Sequence, residues 1–278
     1  MKNKLKISIL TPSLNAENIL QAHSEWFLSL NNPSIELILI DQNEKNNESL
    51  VSLGQNYPQV KYIHNPIRGL SLNRNLGAEY CEGEYIFLLD DDARLTKDML
   101  SNIIEHLNIK KPDILLCSIV DEQNHLTSYT PSNKSKAINI LNIEGHVNSN
   151  GILAKNELLI KHLFDIDMGV GAKYGACEEI DFVVRCLIDN AAVFYEPHFR
   201  VVHPPKPYDK NKSYNYGMGH GYFAKKLILN YTGHNSKILG VKKICKCLAK
   251  KIVSFGQQGN KSTLLKYWVS GFVQGIKR

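Results

Sequence analysis

Tyr85-Ile86-Phe87-Leu88-Leu89-Asp90-Asp91-Asp92 is the stretch that decides the fold. An unbroken apolar run of strand length suits a strand covered on both faces. The abrupt change to carboxylates puts the acids at its C-terminal end, where open α/β sheets bind their ligands. Hard divalent cations such as Mg²⁺ or Mn²⁺ take one or two carboxylates together with substrate phosphates, so the position suits a nucleotide diphosphate held through a metal. The competing reading is a solvated acidic turn that caps a helix expected from Thr96 onward.

The pattern on the N-terminal side of this run alternates strands and helices. Residues 6–11, 35–40 and 60–64 read as strands, and residues 16–30, 48–57 and 69–80 read as helices between them. Helical segments of this length between strands imply βαβ crossovers and a mostly parallel sheet. On the C-terminal side, residues 114–120 and 147–154 read as strands, 156–162 and 178–190 as helices, and 193–195 with 200–203 as the last strands. Residues 123–136 are polar and turn-rich, which predicts a surface excursion. Pro204, Pro205 and Pro207 close the sheet region. The segment 214–222 is rich in glycine and aromatics and reads as a turn leading into a helix; it lacks the βαβ context and spacing of a dinucleotide fingerprint. The expected organisation is an α/β domain over residues 1–222 and a basic amphipathic helical extension over 223–278. In the extension, Val241, Ile244, Leu248, Ile252 and Phe255 recur at helical spacing. A second helix is expected over 262–276, with Leu265, Trp268 and Phe272 on one side.

With 278 residues, 43% hydrophobic and 22% charged, the chain has the composition of an ordinary globular protein able to bury a large core. No apolar run reaches bilayer-spanning length, and the apolar start at residues 7–10 is too short for a signal-peptide core. Its six cysteines show no CxxC pair and no metal-ligand spacing, so reduced core residues are expected rather than a disulfide framework or a zinc site. A cytoplasmic protein is the expectation. The net charge of +6 is unevenly spread: residues 235–278 contain no Asp or Glu but carry Lys237, Lys242, Lys243, Lys246, Lys250, Lys251, Lys261, Lys266, Lys277 and Arg278. That asymmetry points to an anionic partner surface.

Several segments, taken in order, resemble the family 2 glycosyltransferases of the GT-A fold. They are Ile9-Leu10-Thr11-Pro12-Ser13-Leu14-Asn15, Leu39-Ile40-Asp41-Gln42-Asn43, the segment from Arg68 to Gly77, and Leu89 to Asp92. The match continues through Phe164 to Ala172, Gly175 to Arg185 and Val201-Val202-His203, so it runs from about Lys6 to about Tyr222. The resemblance implies a metal-dependent, inverting transfer of a sugar from a nucleotide diphosphate to a glycan or lipid-linked hydroxyl, with Mn²⁺ or Mg²⁺ as cofactor and a UDP- or dTDP-sugar as donor. Surface-polysaccharide assembly, such as O-antigen or capsule, is the setting it suggests.

Residue by residue, the resemblance makes Asp92 the direct metal ligand and His203 a further one, while Asp90 holds the ribose or a metal-bound water and Asp91 stays ambiguous. It places the base in Glu178-Glu179-x-Asp181, at the start of a helix. Glu179 aligns with the usual Asp of the family, and Glu178 and Asp181 compete. A capping cluster paired with Arg185 is the structural alternative. The helix dipole is expected to keep such a carboxylate ionised. Thr11, Pro12 and Ser13 would line the nucleotide pocket and Asp41 would meet the base or ribose, unless it only forms a strand-end turn. Arg68 or Arg74 would meet the diphosphate, to which a guanidinium donates two parallel hydrogen bonds. The run Asp41-Gln42-Asn43-Glu44 departs from the Asp-Asp-Gly-Ser pattern frequent in the family, which leaves the base open.

Other classes fit less well. A processive polysaccharide synthase would show membrane spans and a QxxRW element, and neither is present. A nucleic-acid-binding protein would explain the lysines but not the acids at the end of a buried strand. A non-catalytic nucleotide-sugar-binding descendant of the same fold is the remaining alternative. The tail suits peripheral attachment to an anionic inner membrane face, with the apolar stripe and Trp268 in the interface; in the other reading the stripe docks on the core and the lysines are solvated.

Overall fold

The structure, a computed structural model, describes residues 5–14, 17–127, 133–205, 209–256 and 260–278. In chain order the elements are β1 Ile7–Ser13, α1 Glu17–Ser29, β2 Ile35–Asp41, α2 Glu48–Asn56, β3 Val60–His64, α3 Leu70–Ala78, β4 Tyr85–Leu88 and α4 Lys97–Lys110. Then follow β5 Ile114–Val120, β6 Lys136–Ile138, β7 Ile152–Lys155, α5 Asn156–Lys161, α6 Glu178–Ile188, β8 Val193–Val202, α7 Lys210–Leu229, α8 His234–Gly256 and α9 Asn260–Lys277.

The strands form an eight-stranded sheet in the order β3-β2-β1-β4-β7-β5-β8-β6. β3, β2, β1 and β4 are all parallel; β7 runs antiparallel to both β4 and β5, β8 is parallel to β5, and β6 is an antiparallel edge. The mostly parallel α/β expectation holds, and β4 lies near the middle of the sheet with its acids at the C-terminal end. Side chains alternate across the strands. Ile7, Ile9, Leu37, Leu39, Tyr85 and Phe87 pack with Leu20, Phe27, Leu100 and Ile103 of α1 and α4 on one face. Leu10, Ile38, Ile40, Ile86 and Leu88 pack with Ala78, Leu159, Phe182 and Phe223 of α3, α5, α6 and α7 on the other. Cover on both faces is why these strands read as continuous apolar runs.

Three elements differ from the sequence reading. The last strand is a single β8 with a register shift opposite Cys117 and Ser118 rather than two pieces. β7 begins at Ile152, because residues 145–151 form turns ahead of it. The glycine-rich segment 214–222 is the middle of α7, so the expected boundary after residue 222 falls inside a helix. Its glycines serve close packing: a Cβ at Gly217 would collide with the carbonyl of Trp268, one at Gly221 with that of Phe272, and one at Gly271 with that of Tyr214. α9 is thereby seated backbone to backbone on α7. Trp268 and Phe272 stack in this contact and are buried, which removes Trp268 from the exposed stripe expected of the tail. Ile252 and Phe255 of that stripe have side chains outside the described residues. Among the described residues, no helix is long and apolar enough to cross a membrane.

Candidate active site

At the C-terminal end of β4 the chain turns through the three acids, and their side chains diverge. Asp90 and Asp92 point to the same place as His203, which follows the last residue of β8. One ligand atom from each lies within 4.8 Å of the others, and this is the one such acid and imidazole cluster among the described residues. His203 Nε2 is 3.1 Å from an Asp92 carboxylate oxygen and 3.9 Å from Asp90. Although buried, that nitrogen makes no hydrogen bond. A buried imidazole nitrogen aimed at two carboxylates without a hydrogen bond fits a divalent cation, which would take Asp92, His203 and Asp90 as its protein ligands. The arrangement arises because Arg94 and Val202 pair main chain to main chain in both directions, at 2.8 and 2.9 Å, and His203 N donates to Val120 O at 2.9 Å. Turn and strand end are thus stitched together.

Asp90 is further oriented by Asn150, a residue the sequence did not single out. The amide Oδ1 accepts from Asp90 N at 2.6 Å and Nδ2 donates to the Asp90 carboxylate at 2.9 Å. Asp91 turns the other way. It is buried and accepts from Ser13 Oγ, so its carboxylate sits in the interior.

Arg74 joins this cluster to the acidic start of α6. It is 1% exposed, with Nη2 3.7 Å from Asp90 and Nη1 3.3 Å from Glu178, and its guanidinium lies over the Phe164 ring. One buried guanidinium therefore joins the Asp90 side of the acid and imidazole cluster to Glu178, and Glu179 neighbours Glu178. Gly169 makes room there: its φ of +99° and its closeness to Ser71 Oγ and the Glu178 carboxyl leave no place for a side chain. The carboxyl of Glu179 is pushed well above the usual carboxylate range, first by desolvation and then by its neighbour Glu178. This reverses the expectation that the helix dipole keeps it readily ionised; loss of water outweighs the partial charge of the helix end. A group tuned upward in this way is a stronger proton acceptor.

Asp181, the other expected catalytic acid, lies elsewhere. It is fully buried, accepts from Arg185 Nε at 3.0 Å, pairs with Lys226 Nζ at 2.9 Å and accepts from Tyr231 OH. It anchors α6 to α7, so the structural alternative describes Asp181, while Glu178 pairs with Arg74.

The expected nucleotide contacts are similarly divided. Asp41 is fully buried, and its oxygens accept from Asn43 N at 2.9 Å and Tyr62 OH at 2.7 Å, a strand-end turn with no oxygen directed at the surface. Thr11 Oγ1 faces His23 Nε2 at 3.1 Å, and Pro12 lies within β1. Arg68 is exposed on the loop before α3. That loop is held by Gln42, whose Oε1 accepts from Gly69 N at 3.0 Å and Asn73 Nδ2 at 2.9 Å. Of the two arginines, Arg68 has its donors at the surface and Arg74 has turned its own onto acids.

Comparison with known proteins gives the family and the fold type. Residues 8–180, more than half of the chain, match the glycosyl transferase family 2 model. The chain belongs to the family 2 glycosyltransferases. Among curated relatives it is 27% identical over 146 residues to the minor teichoic acid biosynthesis protein GgaB of Bacillus subtilis, covering 49% of this chain and 16% of that protein. It is 23% identical over 126 residues to the GalNAc(5)-diNAcBac-PP-undecaprenol beta-1,3-glucosyltransferase of Campylobacter jejuni, covering 44% and 41%. The matched part is thus well under two-thirds of these relatives' own length. In structure the chain resembles residues 1–349 of TarS from S. aureus in complex with UDP-GlcNAc, with a TM-score of 0.66, 14% identity and coverage of 98% of this chain and 82% of that one. At that identity the likeness establishes the GT-A type of fold.

Proposed function

We propose that the protein is an inverting glycosyltransferase that moves a sugar from a nucleotide diphosphate to a hydroxyl of a glycan or lipid-linked acceptor in surface-polysaccharide assembly. The observation that carries it is the convergence of Asp90, Asp92 and His203 at the end of β4, joined through Arg74 to the acidic start of α6. Mn²⁺ or Mg²⁺, held by Asp92, His203 and Asp90, would supply charge neutralisation for the departing diphosphate. Glu179 accepts the proton of the acceptor hydroxyl as that oxygen attacks the anomeric carbon from the side opposite the diphosphate, so the configuration inverts. Glu178 and Arg74 hold the start of α6 in place, and Arg68 meets the diphosphate from the exposed loop. A UDP-sugar is the first donor to test, since the S. aureus structural neighbour is a complex with UDP-GlcNAc; dTDP-sugars come next. The undecaprenol-linked substrate in the name of the C. jejuni relative supports a lipid-linked acceptor at a membrane face.

The test is a thermal-shift screen of UDP-, dTDP- and GDP-sugars with and without Mn²⁺, followed by assay of nucleotide release. A matching donor at a hundred times its Kd stabilises the native state by about 2.7 kcal/mol. We expect a UDP- or dTDP-sugar to raise Tm only with the metal and to be slowly hydrolysed. Stabilisation without any nucleotide release would instead favour a binding protein of the same fold. No shift with any donor would sink the proposal.

A further inference from the structure

The turn that carries Asp90 and Asp92 rests on a polar floor that the ligand assignment leaves unexplained. Arg94 Nη1 donates to the carbonyls of Asp91 and Ala93, each at 2.7 Å, and lies 2.8 Å from His23 Nδ1. A guanidinium only donates, so His23 Nδ1 is the acceptor and its Nε2 proton faces Thr11 Oγ1 at 3.1 Å. His23 is fully buried on α1, and the Trp26 ring lies 5.4 Å from the Arg94 guanidinium. The main chain of the same arginine pairs with Val202 in both directions, one residue before His203. Arg94 therefore grips the turn on the Asp92 side with its side chain and the strand end on the His203 side with its backbone.

A permanent cation so close to a cation site is electrostatically adverse, because like charges repel more strongly where water is excluded. Geometry must outweigh that repulsion for the arrangement to serve a metal. We propose that Arg94 is a positioning residue that sets Asp92 and His203 at their ligand spacing, with His23 and Thr11 bracing its guanidinium from behind. The inference rests on the reading of Asp92 and His203 as metal ligands.

The two effects predict opposite signs, which makes the test sharp. Mn²⁺ binding to the full chain is measured calorimetrically and by electron paramagnetic resonance, without donor, for the wild type, Arg94→Ala, Arg94→Lys, His23→Leu and His23→Asn. Loss of a residue that orients metal ligands costs about 10–100-fold in metal affinity. Arg94→Ala should bind Mn²⁺ that much more weakly although a positive charge has been removed, and Arg94→Lys should also weaken although the charge is kept. His23→Leu should follow the same direction, while His23→Asn, whose Oδ1 takes the place of Nδ1, should recover most of the loss. The histidine pair keeps the test decisive if an Arg94 variant fails to fold. Wild-type binding with equal or tighter affinity in folded Arg94 variants, or in His23→Leu, overturns this inference alone. A wild type that binds no Mn²⁺ overturns the metal reading and this inference with it.

Discussion

Glu179, the proposed base, would trade stability for chemistry. Burial and the Glu178 carboxylate raise its pKa in the folded state above the value it has in the unfolded chain. The folded protein therefore holds that proton more tightly, so the favourable contribution is fully present below the unfolded pKa, about 4.3. It is lost as pH rises through the raised folded value, and at alkaline pH the ionised group opposes folding. Glu179→Gln should accordingly melt at a higher temperature than the wild type at pH 8, with the difference shrinking at pH 4. The same variant should bind the nucleotide sugar normally and transfer about 10²–10⁴-fold more slowly, the usual contribution of a general base. Melts at the two pH values and single-turnover transfer rates check both halves. Equal melting at both pH values would mean that the carboxyl is not perturbed as described, and a normal transfer rate would remove it from the role.

Between the helices, the decisive contact is α7 against α9. Gly217 and Gly221 on α7 face Gly271 on α9, and each stands where a methyl group would strike a main-chain carbonyl of the other helix. Alanine favours an isolated helix by up to about 1 kcal/mol over glycine. A backbone carbonyl cannot swing aside as a side chain can, so overpacking, at about 1–3 kcal/mol, wins. Gly221→Ala should therefore lower Tm by several degrees in a calorimetric scan, and an unchanged or raised Tm would show that the helices are not in contact. These same glycines explain what the sequence hid. Closely spaced glycines normally mark a turn, and only their recurrence at matching intervals in residues 217–221 and 271–275 signals a helix pair. The β4 run was legible because an apolar segment that stops at carboxylates has few structural meanings. The partners of those acids were not, because His23, Arg94 and Asn150 look like ordinary polar residues on an amphipathic helix or in loops. Nor does sequence reveal that Asp91 and Asp41 face the interior while Asp90 and Asp92 do not.

Across the molecule, basic charge is gathered into the last two helices, but not all of it faces outward. Lys243 is buried 3.3 Å from Glu144, Lys246 pairs with the same acid, and Lys250 sits over the Trp268 ring. The expected single apolar stripe on α8 is also divided. Ile244 packs inward against the Trp268 and Phe272 cluster, whereas Val241 and Leu248 are more than half exposed, alongside Lys237 and Lys242. Positions 237, 241, 245 and 248 follow one helical face, and α9 adds exposed Lys266, Val273 and Lys277. An apolar strip flanked by lysines suits an anionic bilayer surface, where each lysine contributes about 1 kcal/mol and the attraction fades within a Debye length. The full chain should float with vesicles containing anionic lipid at low salt, much less with zwitterionic vesicles, and less again in high salt. Lys237→Glu combined with Lys242→Glu should abolish flotation while leaving donor binding unchanged, because both lysines are exposed on α8 and neither belongs to the cluster at the end of β4. Equal recovery of the wild type and this double variant would show that these lysines serve only solubility and that any lipid-linked acceptor is met by another face.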